Sequence, residues 1–208
     1  MSTETSVRAH RFTVGAIACT IVSDGSMAYH DPAPVFLVNA PQVECDSVPR
    51  AYGLEPEAWH EYVSPYSALL IETGQQCVLV DTGAGGFAPT NGQLHDNLHV
   101  EGVELASIDM VVITHAHPDH IGGDLDAEQR MAFPNALYVL WRDEWQFWTG
   151  AADLSSLAIP DPIKELLIGS ARRNLPPLDG NVEMLDRDTE LAPGVRAVAA
   201  PPVTWWSP

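Results

Sequence analysis

The stretch 114-THAHPDHIGG-123 sets three histidines and one aspartate within six residues, His115 to His120, and two glycines follow. Imidazole nitrogen and carboxylate oxygen together suit zinc, with iron and manganese as the other ions of matching preference. In an extended segment residues i and i+2 point the same way, so His115 and His117 at a strand end can converge on one ion. Pro118 then breaks the strand direction. Asp119 and His120 open a helix, close enough to face a second ion. Gly122 and Gly123 let backbone pack tightly beneath the site. A lone histidine is usually an ordinary core or surface residue. The pattern H-x-H-x-D-H directly after an apolar strand is explained by metal binding.

The cluster needs elements to hold it. Residues 108-IDMVVITHAH-117 read as an apolar strand that delivers the histidines at its C-terminal end, and its unbroken apolar character implies burial on both faces. Upstream, 67-SALLIETGQQCVLVDTG-83 gives two apolar runs around ETGQQ, a hairpin signature. The second run ends in Asp81-Thr82-Gly83 and a glycine-rich loop, 83-GAGG-86. Downstream, 136-ALYVLW-141 is a further strand, 142 to 148 is helical, and 161 to 175 is a helix with Asp161 as N-cap and Pro162 in the first turn. Residues 182 to 200 give short strands around a Pro-Gly turn. Nearer the N-terminus, 11 to 25 read as two short strands turning near Gly15, with a loop after Asp24. Residues 30 to 65 are irregular and Pro-rich, with one short helix at 56-PEAWHEYV-63. Strand pairs separated by helices imply an α/β layered architecture. Trp141, Trp145 and Trp148 could wall a substrate site or form a dimer contact, but their helical spacing favours core packing.

Composition narrows the function. With 208 residues and 46% hydrophobic content, the chain fits one domain with a sizeable core. No apolar run approaches the roughly 20 residues of a spanning helix, and the polar start MSTETSVRAHRF holds no apolar signal segment, so a soluble cytoplasmic protein is expected. Cys19, Cys45 and Cys77 are scattered and read as reduced thiols rather than a disulfide scaffold. The formal net charge is −18, and Lys164 is the one lysine. Such a field repels polyanions, so nucleic acid and anionic membranes are poor partners and a small neutral or cationic substrate fits better.

THAHPDHIGG, preceded by the VLVDTG strand, resembles the metallo-β-lactamase-fold hydrolase superfamily over about Tyr66 to Ala200. The surroundings 52-YGLEPEAWHEYVSPYSALLIETG-74 and 133-FPNALYVLWRDEWQFW-148 are similar to the branch containing acyl-homoserine lactonases and methyl-parathion-hydrolase-like enzymes. The resemblance implies an αββα sandwich with metals at one edge of the sheets. It implies that His115 and His117 bind a first metal and Asp119 and His120 a second, with two zinc ions expected in a complete chain. Asp81 would sit below the site and brace the loop, or serve only as a strand-end turn residue. Gly83, Gly122 and Gly123 would lie beside it. His10, His30, His60, His95 and His99 carry no motif. Activity would be hydrolysis of a small neutral ester, lactone or phosphotriester by hydroxide shared between two cations, with Asp119 as the catalytic carboxylate that orients the nucleophile or moves its proton.

The chain departs from that pattern after His120, where no further histidine occurs. The family supplies a Gly-His loop, a bridging aspartate and a last histidine there. At the place of the first, this chain reads 201-PPVTWWSP-208. The expectation is therefore a single domain over 1 to 208 that lacks its C-terminal strands and ligands, with the second half of the sandwich incomplete, through truncation or a frameshift. A non-catalytic remnant with weak or no metal binding is the alternative to the enzyme, and redox work on a di-iron centre is a third reading.

Overall fold

The computed structural model describes residues 7–37, 41–55 and 59–200, so the segment PPVTWWSP lies outside the described residues. Seven strands form one sheet: β1 (Ala9–Val14), β2 (Ile17–His30), β3 (Glu61–Glu72), β4 (Cys77–Val80), β5 (Met110–Val112), β6 (Leu137–Trp141) and β7 (Val182–Leu185). They lie side by side in chain order. The pairs from β1 to β4 are antiparallel, and those from β4 to β7 are parallel. A separate hairpin, β8 (Thr189–Ala192) and β9 (Val195–Ala197), makes a second sheet.

Period-two alternation assigns the two faces of the large sheet. Leu79, Val111, Tyr138 and Leu140 enter a core shared with α3 (Leu94–Val100), α5 (Arg142–Thr149) and α6 (Asp161–Asn174). Their strand neighbours Val78, Met110 and Val139 point to the other face and pack with Leu185 and Ala192 beneath the β8–β9 hairpin. The order is thus helices, large sheet, small sheet. This is the α/β class with helices on one face and a small second sheet on the other. Among the described residues no helix is long and apolar enough to cross a membrane.

Several elements differ from the sequence expectation. The chain does not loop after Asp24, because β2 continues to His30 across a register shift between Ser23 and Gly25. Asp24 turns inward at that shift and accepts hydrogen bonds from the backbone N–H groups of Ala84, Gly92 and Leu94 at 2.8, 3.2 and 2.9 Å. A loop residue by propensity is held in a bulged strand by the donors that it satisfies. The helix expected over 56–63 is replaced at its end by strand: Glu61, Tyr62 and Val63 pair with His30, Tyr29 and Ala28. Its residues 56–58 lie outside the described residues. Within the stretch read as irregular lie α1 (Ala33–Phe36) and α2 (Gln42–Ala51). Helix α6 takes Pro160 as its N-cap, and Asp161 is its first helical residue. There the Asp161 charge favours the helix dipole without capping a backbone N–H.

Phe133 is fully buried in the larger core and meets the His95 ring edge to face at 5.5 Å. Phe133→Ala is expected to cost about 3–5 kcal/mol of unfolding free energy in a urea titration. Phe12, on the outer strand β1 and 37% exposed, serves as the control, and Phe12→Ala should stay within about 0.5 kcal/mol of the parent.

Candidate metal centre

Strands β4 and β5 are parallel neighbours, with Val80 opposite Val112, so their C-terminal ends lie side by side. Asp81 follows β4 with a left-handed φ of 61°, a conformation that aspartate tolerates better than most side chains. Its Oδ1 accepts from the Thr114 N–H at 2.8 Å and faces the Thr114 hydroxyl at 2.9 Å. Its Oδ2 lies 2.8 Å from His120 Nδ1. One carboxylate thereby joins the end of β4, the loop after β5 and the short helix α4 (Pro118–Ile121). The Thr114 Oγ1 also lies 3.1 Å from His115 Nδ1.

The sequence-predicted ligands come together at this edge. The His115 ring is 4.6 Å from that of His117 and 3.9 Å from that of His120, centroid to centroid. His117 has extended backbone and precedes Pro118, which occupies the first turn of α4. Asp119 Oδ2 stands 3.5 Å from His120 Nε2. His117 Nε2 is buried with no hydrogen-bond partner. Burial, with the neighbouring imidazoles adding to it, lowers the pKa of both His115 and His117 to about 4. Both rings are neutral at pH 7 and present lone pairs. Burial also acts to lower the His120 pKa, but the Asp81 hydrogen bond and charge outweigh it and the net shift is upward. A metal at His120 Nε2 would leave the Nδ1 contact with Asp81 in place.

Among the described residues no group of three or more His, Cys, Asp or Glu side chains is arranged to hold a metal ion. The donors nonetheless fit one in chemistry. A buried imidazole nitrogen without a partner costs on the order of 1–3 kcal/mol, and a zinc-class ion is a partner that neutral imidazole accepts. His115 and His117 would supply two donors on one side of the cluster, and Asp119 and His120 two on the other.

Beneath the cluster the backbone is closely apposed. A Cβ on Gly122 would lie 2.2 Å from the Ala84 carbonyl, and one on Gly123 would lie 2.2 Å from the Thr82 oxygen. Gly83 abuts the Asp24 side chain in the same way. Thr82 Oγ1 is 3.0 Å from the His120 carbonyl and 2.9 Å from Asp124 Oδ1. A hydroxyl has one hydrogen for these two acceptors. Asp124 is fully buried, and desolvation pushes its carboxyl well above the usual carboxylate range. The second Asp124 oxygen, Oδ2, is buried with no hydrogen-bond partner. His95, which carries no motif, places Nε2 2.9 Å from the Gly123 carbonyl and braces the same floor.

Three buried carboxylates around the cluster have no motif in the sequence: Asp24, Asp124 and Glu144. Asp124 follows the double glycine directly, which was the available signal. Glu144 lies on α5 one turn before Trp148, and only that spacing hinted at a partner. Trp145 and Trp148 are core residues, whereas Trp141 lines a cavity. That cavity, about 550 Å³, opens beside His115 and Thr114 between the ends of β5, β6 and β7 and residues 197–200.

A sheet with helices on one face, a small second sheet on the other and H-x-H-x-D-H at its edge defines a class that the comparisons identify. The metallo-beta-lactamase superfamily model matches residues 62–203, and the chain belongs to that superfamily. Among solved structures, the fold is similar to AidC, described as a dizinc quorum-quenching lactonase, at TM-score 0.70 and 24% identity over 88% of this chain. It is similar to the hydrolase AbOPH at TM-score 0.68 and 21% identity over 90% of this chain. A probable metal-dependent hydrolase from Staphylococcus aureus aligns at TM-score 0.67 and 19% identity over 89%. The chain spans 63% of AidC and 64% of each of the other two. Comparison with curated proteins finds no match.

The floor of the site yields two predictions. Gly122→Ala should cost about 3 kcal/mol by overpacking, read from the denaturation midpoint. In contrast, Gly169→Ala, inside α6 where an added Cβ meets nothing within 4 Å, should stabilise by about 0.5–1 kcal/mol. The second concerns pH. The Asp124 carboxyl has its folded pKa raised, so its contribution to stability is full below the unfolded pKa of about 3.9 and is lost as pH rises toward the folded value. Asp124→Asn keeps a donor for Thr82 and does not titrate. Its melting temperature relative to the parent should climb between pH 4 and pH 8; a flat difference would show that Asp124 is not held neutral.

Proposed function

We propose that this protein is a metal-dependent hydrolase of a small neutral ester, lactone or phosphotriester, with zinc as the expected ion. The observation that carries the reading is His117 Nε2, buried and unpartnered, in a cluster with His115, Asp119 and His120. Membership of the metallo-beta-lactamase superfamily supports it, as does the likeness to solved structures of a dizinc lactonase and an N-acyl homoserine lactone lactonase. Bound ions would supply a Lewis acid for a carbonyl or phosphoryl oxygen and lower the pKa of water. The chain's own residues do the rest. His115 and His117, neutral at pH 7, donate through nitrogen. Asp81 fixes the His120 ring through Nδ1 and leaves Nε2 facing the site. Asp119, with its side chain 37% exposed, holds or passes a proton at its carboxylate. The cavity beside His115 has room for a small substrate, and the charge of −18 disfavours polyanions.

One observation favours a second reading, a non-catalytic protein with weak metal binding: no three donors converge among the described residues. Metal stoichiometry after dialysis separates the two. For the hydrolase reading, turnover of an acyl-homoserine lactone, a nitrophenyl ester and an aryl phosphotriester should require added zinc, cobalt or manganese. It should fall by at least about 100-fold in His117→Ala, as loss of a metal-site residue does. Undiminished turnover in His117→Ala, or in chelated protein, would sink the reading.

A further inference from the structure

The amide of Ala116, between the two histidines, has no partner in the sheet. Strand β5 ends at Val112, and the last ladder-like bond runs from the Ile113 N–H to the Val139 carbonyl at 2.9 Å. Ala116 is fully buried, so its N–H needs an acceptor inside the protein. That acceptor is Glu144. Its Oε1 lies 2.7 Å from the Ala116 nitrogen and also 2.7 Å from the indole Nε1 of Trp148. Trp148, 1% exposed, returns to the cluster by meeting the His117 ring edge to face at 5.9 Å. The path closes on itself: Ala116 to Glu144, Glu144 to Trp148, Trp148 to His117. A carboxylate that is only 6% exposed is an expensive way to anchor a helix, since its desolvation opposes folding.

We propose that Glu144 is a positioning residue for the His115–His117 pair, acting through the Ala116 amide and kept in place by Trp148. In extended backbone the residues on either side of a given residue project together from the opposite face. Fixing the peptide at the Ala116 amide therefore constrains the backbone from which both imidazoles leave. His120 is held directly by Asp81. The inference rests on the proposed metal function for its purpose, but the positioning itself is a property of the chain without metal.

Three variants test it. Glu144→Gln retains an oxygen that can accept from both donors. Glu144→Met retains length and offers no comparable acceptor. Trp148→Phe removes the indole donor and leaves a ring in place. The readouts are the imidazole ¹⁵N–¹H resonances of the metal-free chain, the visible spectrum and affinity of cobalt(II), and the melting temperature. Glu144→Met should move the His115 and His117 resonances and weaken cobalt binding by about 10–100-fold. Glu144→Gln should restore both signatures. Should Glu144→Met fail to fold, Trp148→Phe decides through the Ala116 backbone amide, which bonds to Glu144: a shifted Ala116 amide together with a shifted His115 resonance supports the proposal, and an unshifted Ala116 amide overturns it. Unchanged His115 and His117 resonances and an unchanged cobalt spectrum, with only the melting temperature lowered, would overturn it and leave Glu144 as an anchor of α5. If the parent chain takes up no cobalt, the metal function fails, while the imidazole resonances still decide the positioning.

Discussion

The Asp81 carboxylate is the contact on which the metal edge depends. The β5 ladder ends just before the motif, and the chain from Thr114 to His120 has to be shaped without a strand partner. Asp81 supplies the missing acceptor for Thr114 and at the same time sets the His120 ring. The same device recurs around it. Asp24 takes the N–H groups of Ala84, Gly92 and Leu94, and Glu144 takes that of Ala116. Where regular structure stops, buried carboxylates collect the backbone donors that it leaves behind.

This recasts part of the chain's acidity. A formal charge of −18 suggests a surface kept soluble by repulsion. Yet Asp24, Asp124 and Glu144 are inside, and desolvation raises the pKa of each. Their positions follow from backbone geometry rather than from solubility. On the opposite side of the balance, His115 and His117 are kept neutral by burial. The edge of the sheet therefore joins buried, hydrogen-bonded carboxyl groups beneath to uncharged imidazoles above.

The sequence made the donors legible and left their supports obscure. His115, His117, Asp119 and His120 stand out because motif spacing and strand context agree, and the β3–β4 hairpin, β6, α5 and α6 follow from local pattern. Asp24 looked like the start of a loop because aspartate disfavours strands; only the three distant N–H groups explain why the strand continues through it. Helix α3 carries two apolar contacts one turn apart, Leu94 and Leu98, a stripe too short to declare itself. Glu144 reads as one more charge on an amphipathic helix. Its inward aim depends on Ala116 being brought to it by a different part of the chain, which no local pattern encodes.

The register shift at Asp24 also divides the molecule by cooperativity. Up to Ser23, β2 contributes Val22 to the main core, and β3 contributes Ala68 and Leu70. Beyond the shift, Gly25–His30 and Glu61–Tyr66 pair with each other and add no residue to either core cluster, and their further ties are Gly25 opposite Asn91 and the Ser26 N–H on the Thr90 carbonyl at 3.0 Å. This outer ribbon is held by its own aromatic contacts, Tyr29 with Phe36 at 5.0 Å and Phe36 with Tyr62 at 5.2 Å. With its apolar contacts largely confined to those rings, it is a weaker unit joined to a stronger one. Sequence change in the ribbon is correspondingly insulated from the two core clusters.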